Sequence, residues 1–223
     1  MRRVLLSWST GKDSAWTLHL LRQMADVDVG GLVTTMNTGE SRVASHRTPR
    51  SWLLAQADAA GLPVWEVGIP ESCPNDAYEA AMREALRAAS ARGFTHVAFG
   101  DLHLSDIRAY REGLVAGTGL AALFPSWCDA SETPRLARRM IAEGVRAFLS
   151  CVDKRQLDGE FVGREFDDAL IDALPAQVDP CAERGEFHTF CTDGPMFRDP
   201  VRAAAGHRTD DGRFAHVEVV ARG

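Results

Sequence analysis

The chain alternates short apolar runs with longer stretches in which apolar residues recur at helical spacing. Up to about residue 125 the order is strand then helix, repeated, which is typical of parallel βαβ units. The apolar runs predict strands at residues 4–8, 29–36, 64–67 and 95–99. The stretches between them predict helices at residues 13–24, 49–60 and about 76–92. The pattern therefore predicts an α/β fold with a doubly wound, mainly parallel sheet over residues 1–125.

After Pro125 the rhythm changes, and a smaller α+β domain over residues 126–223 is predicted. Its expected elements are helices at 134–143 and 163–174 and strands at 146–152, 187–191 and 214–220. The turn sequence Asp210-Asp211-Gly212 precedes the last strand and predicts a terminal hairpin.

Composition narrows the class of protein. With 45% hydrophobic and 25% charged residues, the chain has the composition of a folded globular protein. It contains no apolar stretch of about 18 residues, so no membrane partner is expected. Five scattered cysteines favour a reducing compartment, the cytoplasm. The net charge of -6 gives no general attraction for nucleic acid, which disfavours an RNA or DNA partner.

The segment between the first predicted strand and helix has the features of a phosphate-binding loop. Gly11 allows close approach of the backbone to oxygen atoms, the first amides of the helix point forward, and Lys12 adds a positive charge. A simpler alternative is an ordinary helix cap made by Asp13 or Ser14. A Walker-type loop is excluded because it requires glycine at the position of Leu6. The segment reads Ser7-Trp8-Ser9-Thr10-Gly11-Lys12-Asp13-Ser14.

This loop resembles the signature S-G-G-K-D-S of the PP-loop ATP pyrophosphatases, with Thr10 in place of the first glycine. The resemblance implies an adenine nucleotide alpha hydrolase-like fold of the HUP type, with ATP as the nucleotide. It also implies that the loop holds the β and γ phosphates while an attacking oxygen displaces pyrophosphate from the α phosphate. The residues that it assigns to ATP are Ser7, Ser9, Thr10, Gly11, Lys12, Asp13 and Ser14, with Lys12 also catalytic.

Later blocks resemble the diphthine–ammonia ligase family. They are residues 46–63, residues 99–108, Gly117-Thr118-Gly119, Phe124-Pro125-Ser126-Trp127, residues 179–190 and Asp193-Gly194-Pro195. The resemblance implies that ATP activates a carboxylate as an acyl adenylate and that ammonia then displaces AMP. The expected partners are ammonia and an acceptor carboxylate, carried by a small molecule or by a protein.

The same resemblance assigns roles to residues outside the loop. Gly100 and Arg108 are expected to bind the nucleotide, and Asp101 and Asp106 are expected to hold Mg²⁺ through water, with Asp101 also catalytic. A helix-capping cluster of surface ion pairs is the alternative for this block. The residues expected to contact the substrate are Glu183, Glu186, His188 and Thr189. Among them Glu186 and His188 are expected to be catalytic, with Glu186 accepting a proton from ammonium.

The last block departs from the diphthine-specific enzymes, which carry Glu-Gly-Gly-Glu-aromatic-Glu-Thr. Here Arg184 replaces the first glycine and His188 the last glutamate. The difference predicts an acceptor other than diphthine.

Other functions remain open from the sequence. An ATP-binding sensor without turnover is one alternative, and a PP-loop enzyme that modifies tRNA is another. Thiolating members usually need paired cysteines, and the sequence contains no C-x-x-C. A zinc site at Cys181, His188 and Cys191 would lack a fourth ligand. The sequence leaves the acceptor, the nitrogen source and the oligomeric state open, a homo-oligomer included.

Overall fold

A computed structural model of the protein describes residues 1–222 and has an α/β fold built on two sheets. The first sheet has six strands, in the order β3-β2-β1-β5-β6 with β4 on the outer side of β2. All pairs are parallel except the short β3, which runs antiparallel to the end of β2. The strands are β1 (Arg2–Ser7), β2 (Val27–Asn37), β3 (Arg42–Val43), β4 (Val64–Ile69), β5 (His96–Ala98) and β6 (Ala121–Leu123).

Helices cover both faces of this sheet, because alternate strand residues point to opposite faces. Val4 and Leu6 pack with α1 and α2 on one face, whereas Leu5 and Val97 pack with α3 and α4 on the other. The predicted doubly wound arrangement is therefore confirmed. The helices are α1 (Lys12–Gln23), α2 (Arg50–Ala60), α3 (Asn75–Ala91) and α4 (Ser105–Val115).

The second sheet is antiparallel and has four strands in the order β8-β7-β10-β9. The predicted smaller α+β part and its terminal hairpin are both present. Its elements are α5 (Thr133–Ala142), β7 (Arg146–Asp153), α6 (Asp168–Ala173), β8 (Phe187–Asp193), β9 (Ala203–Asp210) and β10 (Phe214–Ala221).

Two details differ from the predicted elements. Helix α6 begins at Asp168 instead of residue 163. Gly163 has a left-handed backbone with φ of 84°, and Glu165 pairs with Phe148 in a short bridge, so the chain before Asp167 cannot be helical. Strands β3 and β6 have two and three residues, which is too short to give a periodic signal.

One hydrophobic core joins the two sheets. Trp8 and Trp16 from the first part pack in the same buried cluster as Phe148 and Phe190 from the second. The domain boundary predicted after residue 125 lies between β6 and α5, and this core crosses it. Among the described residues, no helix is long and apolar enough to cross a membrane.

Candidate active site

A cavity of about 310 Å³, called here the central cavity, opens at the carboxyl ends of β1, β2 and β5. Strand order reverses between β1 and β5, and a reversal of this kind is where open α/β sheets bind ligands. The second part of the chain closes the cavity with the segment before β8 and with β8 itself. Its polar lining consists of Ser7, Ser9, Asp13, Ser14, Thr34, Thr35, Ser45, His46, Tyr78, Gly100, Asp101, Arg111, Glu183 and His188.

The loop between β1 and α1 is held in place from both parts of the protein. Thr10 is fully buried and adopts a left-handed φ of 72°, the conformation for which glycine is best suited. Its hydroxyl is 2.7 Å from the hydroxyl of Thr48. Its carbonyl accepts hydrogen bonds from the Gln56 side chain at 3.0 Å and from the Cys191 amide at 3.0 Å. These bonds offset the cost of the unusual backbone conformation.

Two glycines permit close packing around the cavity. A Cβ atom on Gly11 would lie 2.6 Å from Cε1 of His46, a distance that side chains do not tolerate. A Cβ atom on Gly100 would lie 3.2 Å from the backbone of Asp13, which cannot move easily at the start of α1. Glycine at both positions therefore keeps the loop, β5 and the His46 segment in contact.

Lys12 does not line the central cavity. Its ammonium group lies 2.9 and 3.0 Å from the two carboxylate oxygens of Asp13 and 2.6 Å from the carbonyl of Cys181. The residue is 2% exposed, and its Nζ lies 5.5 and 5.8 Å from the ring centres of Phe166 and Phe187. Burial is the largest single effect and lowers the pKa of Lys12, but the interactions with Asp13, Cys181 and Glu183 together outweigh it, and the pKa lies above its ordinary value. The ammonium group of Lys12 therefore lies on the interior side of Asp13, and the Asp13 side chain lies between it and the cavity.

Glu183 is the cavity group with the most altered proton affinity. One carboxylate oxygen accepts the Leu102 amide at 2.7 Å. Burial, the largest cause, and the negative charges of Asp13 and Asp101 together raise the pKa of Glu183 to about 7, against the opposing effects of the Leu102 amide and Lys12. A carboxyl group that titrates near neutral pH in a cleft is suited to take up or give a proton during a reaction.

Asp101 lines the cavity with a carboxylate oxygen that lacks a partner. Its Oδ2 is buried and makes no hydrogen bond to the described residues, although Arg111 Nε is 3.5 Å away. This oxygen fits a Mg²⁺ ion, which proteins commonly hold through one or two carboxylates together with phosphates and water. The described residues contain no cluster of three or more metal-ligating side chains, so water and phosphate would have to complete the coordination. Asp106 is exposed in the first turn of α4 and lies outside the cavity lining, so the predicted pair is not brought together.

The arginine of the cavity is Arg111 and not the predicted Arg108. Arg108 forms an ion pair with Glu112 at 2.9 Å, four residues along α4, and lies over the rings of Phe124 and Trp127. Arg111, a further turn along α4, reaches the cavity and lies 5.1 Å from the ring centre of Phe99. Glu112, four residues after Arg108, is the feature of the sequence that could have indicated that Arg108 pairs along α4 and that Arg111 is the arginine of the cavity.

The last block of the chain has one buried carboxylate that braces a loop. Glu186 is 2% exposed, and its oxygens accept the amides of Asp179 at 3.0 Å and Arg184 at 3.1 Å. Glu186 is not part of the cavity lining, whereas Glu183, which was predicted to contact the substrate, is. Thr189 also has a structural contact, because its hydroxyl accepts the Lys12 amide at 3.0 Å.

Two imidazole rings meet at the edge of the cavity. His46 and His188 are 4.5 Å apart between ring centres, with 33° between their planes. Nδ1 of His46 lies 3.2 Å from the Thr189 carbonyl. Burial lowers the pKa of both rings, that of His188 to about 4, so both are neutral at pH 7. His188 was predicted as a site residue, whereas His46 was not, although it begins a segment that resembles the diphthine–ammonia ligase family.

The cysteines of the zinc alternative are held apart from one another. The Cys181 thiol lies 3.4 Å from the Thr133 carbonyl, and the Cys191 thiol lies 3.5 Å from the Asp193 carbonyl. Burial raises the pKa of Cys191 to about 12, which keeps it a neutral thiol. Within residues 1–222 they join no metal-binding cluster.

Comparison with known proteins gives one family match. Residues 132–219 match the model of the diphthamide synthase C-terminal domain, which is less than half of the chain. No curated protein matches the sequence. Among solved structures, the chain is similar to the U34-tRNA thiolase NcsA from Methanococcus maripaludis, solved with its 4Fe-4S cluster, at 18% identity and a TM-score of 0.37. That match covers 63% of this chain and 57% of the thiolase, and a likeness this weak carries no functional argument.

Proposed function

We propose that the protein is an ATP-dependent amide-forming ligase, because residues 132–219 match the model of the diphthamide synthase C-terminal domain and the loop before α1 has the PP-loop pattern. In the proposed reaction, a carboxylate oxygen of the acceptor attacks the α phosphate of ATP and releases pyrophosphate. Ammonia then attacks the activated carboxyl carbon and releases AMP. The products are an amide, AMP and pyrophosphate.

The observation that carries the proposal is the meeting of both parts of the chain in the central cavity. The PP-loop pattern and Asp101 come from the parallel sheet, whereas Glu183 and His188 come from the diphthamide synthase-like part. A protein that only sensed ATP would have no need of a carboxyl group with a pKa near 7 at that junction.

The residues have distinct proposed roles. Backbone amides of the first turn of α1, together with Ser9 and Ser14, would receive the phosphates. Arg111 would balance their negative charge from α4. Glu183 would accept the proton that the attacking ammonium must lose, and neutral His188 would orient the acceptor or ammonia by a hydrogen bond. Asp101 would hold Mg²⁺, which would offset charge on the departing pyrophosphate.

The decisive experiment is nucleotide turnover by the purified protein with ATP, Mg²⁺, ammonium and a pool of carboxylates. We expect AMP and pyrophosphate in equal amounts, dependent on both ammonium and a carboxylate. ADP with phosphate would contradict adenylation. Tight ATP binding without product would favour the sensor instead.

A matched pair of variants tests the cavity. Asp101→Asn removes the negative charge of the carboxylate and should lower AMP formation at least tenfold, because Mg²⁺ would lose its charged protein ligand. Asp106→Asn changes an exposed carboxylate on the same helix-loop segment and should leave turnover unchanged. Equal activity of the two variants would remove Asp101 from the mechanism.

A further inference from the structure

A second cavity of about 540 Å³ lies beside the central cavity. The proposed reaction gives this second cavity no role. One wall is formed by residues 42–49, between β3 and α2, and the other by strands β7, β9 and β10. His46 lines both cavities, and its ring lies against His188. Among the described residues, His46 is therefore the one that lines both cavities, and His188 reaches the second cavity only through its contact with His46.

Ser150 supplies an unsatisfied hydroxyl to the second cavity. On β7, Leu149 pairs with Thr189 and Cys151 with His188, so Ser150 is the extra residue of a β-bulge. Ser150 is 6% exposed and lines the cavity, yet its Oγ makes no hydrogen bond to the described residues. A buried hydroxyl without a partner is unfavourable, and a bound polar ligand that hydrogen-bonds to it would remove that cost. Bulges commonly re-aim side chains beside active sites.

A row of side chains across the second sheet connects the two cavities. His188, Cys151, His216 and Thr209 are successive pairing partners on β8, β7, β10 and β9. Directly paired residues of antiparallel strands point to the same face. The row therefore begins at the central cavity with His188 and ends in the second cavity with His216 and Thr209.

The walls of the second cavity carry opposite charges. Arg42 and Arg47 stand on the first wall and share one carboxylate, Glu40, at 4.0 and 3.1 Å, which leaves a net positive charge. Asp211 and Glu218 stand on the other wall, and Asp211 pairs with His216 at 3.4 Å. A ligand that carries both a carboxylate and an ammonium group would match this arrangement.

We propose that the second cavity binds the acceptor substrate and that the acceptor is an amino acid-type molecule with two carboxylates. One carboxylate is held by Arg47 and the Ser150 hydroxyl, and the ammonium group is held by Glu218 and Asp211. The other carboxylate reaches past His46 and His188 to the central cavity, where it is amidated. This inference rests on the proposed ligase function for the reaction, although the binding itself does not require it.

Binding is measured by calorimetry without ATP, using L-aspartate, L-glutamate and L-2-aminoadipate as probes of increasing length. We expect at least one of them to bind. Glutarate is glutamate without the ammonium group, and 4-aminobutyrate is glutamate without the α-carboxylate. Each should bind at least tenfold more weakly than glutamate. A Glu-Gly-Gly peptide distinguishes a free amino acid from the terminal residue of a chain. Failure of all three amino acids and the peptide to bind overturns the proposal.

Variants of the cavity separate binding from folding. Arg47→Gln and Ser150→Ala should each weaken binding at least tenfold, whereas Arg208→Gln should not, since Arg208 pairs with Glu160 outside the cavity. Ser150→Ala should also leave the unfolding temperature unchanged or raised, because it removes an unpaired buried hydroxyl. A lowered unfolding temperature with unchanged binding would make Ser150 purely structural and overturn its role.

The two hypotheses fail in different ways. If the amino acid binds and the cavity variants weaken it, but no AMP forms, the cavity assignment stands and the ligase reaction is wrong. If AMP forms with an acceptor whose KM is unchanged in Arg47→Gln and Ser150→Ala, the ligase stands and the cavity assignment is wrong.

Discussion

Glu183 is set apart from the other cavity carboxylates by its proton affinity, and this property affects stability as well as chemistry. Its pKa is raised from the ordinary 4.5 to about 7 in the folded chain. Between these values the folded protein holds a proton that the unfolded chain has lost. The contribution of Glu183 to the free energy of unfolding is therefore greatest below pH 4.5, falls as the pH rises to about 7, and is constant above.

We expect the substitution Glu183→Gln to remove this pH dependence, because glutamine cannot titrate and its oxygen can still accept the Leu102 amide. The measurement is the unfolding free energy by urea denaturation at intervals from pH 4.5 to 8, for wild type and variant. The free energy of unfolding of the variant should increase relative to that of the wild type as the pH rises. Parallel curves would show that Glu183 has an ordinary pKa and would weaken its assignment as the proton acceptor.

Lys12 presents a different case, since the structure places its charge in the interior and not in the cavity. Lys12→Met should lower the free energy of unfolding by about 3 kcal/mol, because Asp13 and the Cys181 carbonyl lose their buried partner. Urea denaturation measures the loss. The double variant Lys12→Met with Asp13→Asn should lose less than the two single variants added together. A loss below about 1 kcal/mol would mean that the ammonium group is not held in this buried pair and is free to reach phosphates, as the sequence predicted.

At the scale of elements, the loop before α1 combines a strained backbone with a hydroxyl contact. Thr10→Gly and Thr10→Ala both remove the bond to Thr48, but only glycine adopts the left-handed φ of 72° without strain. We therefore expect the glycine variant to be more stable than the alanine variant by about 1 kcal/mol. Thermal unfolding of the two proteins tests the difference. The opposite order would indicate that the loop changes conformation when Thr10 is replaced.

The elements themselves were largely predictable, and the reasons for the misses are physical. The long helix α3 was recognised because its buried residues Met82, Leu86 and Ala89 recur at helical spacing, whereas β3 and β6 are too short to show a period. Motifs placed Asp101 and His188 in the cavity, but they could not distinguish Glu183 from Glu186. That choice depends on which carboxylate folds back to brace residues 179–184, a tertiary feature without a local signal. Arg111 and His46 depend in the same way on packing between distant segments.

For the molecule as a whole, Gln56 joins the two parts of the chain. It is fully buried, accepts a hydrogen bond from the Trp8 indole at 2.9 Å, and donates to the carbonyls of Thr10 at 3.0 Å and Cys191 at 2.6 Å. These bonds tie α2, β8 and the loop after β1 into one unit. Together with the shared hydrophobic core, they predict that the two parts unfold together in spite of the change in architecture after residue 125.

We expect Gln56→Leu to lower the free energy of unfolding by about 2–4 kcal/mol, because the Trp8 indole and the Cys191 carbonyl are left unpaired in the interior. Gln23→Leu, at an exposed position on α1, is the matched control and should change it by less than about 0.5 kcal/mol.

Two probes follow unfolding in the two parts separately. Tryptophan fluorescence reports mainly on the first part, which holds Trp8, Trp16, Trp52 and Trp65, while the fifth tryptophan, Trp127, lies just after the boundary. Slow thiol labelling of the buried Cys151, Cys181 and Cys191 reports on the second part, because the partly exposed Cys73 and Cys128 react before unfolding. Coincident midpoints that shift together in Gln56→Leu are expected for a single cooperative unit. Separate midpoints, with only one displaced by the substitution, would instead show two independent domains divided near residue 125. In that case the central cavity would lie between bodies that can move apart, and ATP should raise the lower midpoint towards the higher one, because a ligand that contacts both parts stabilises their association.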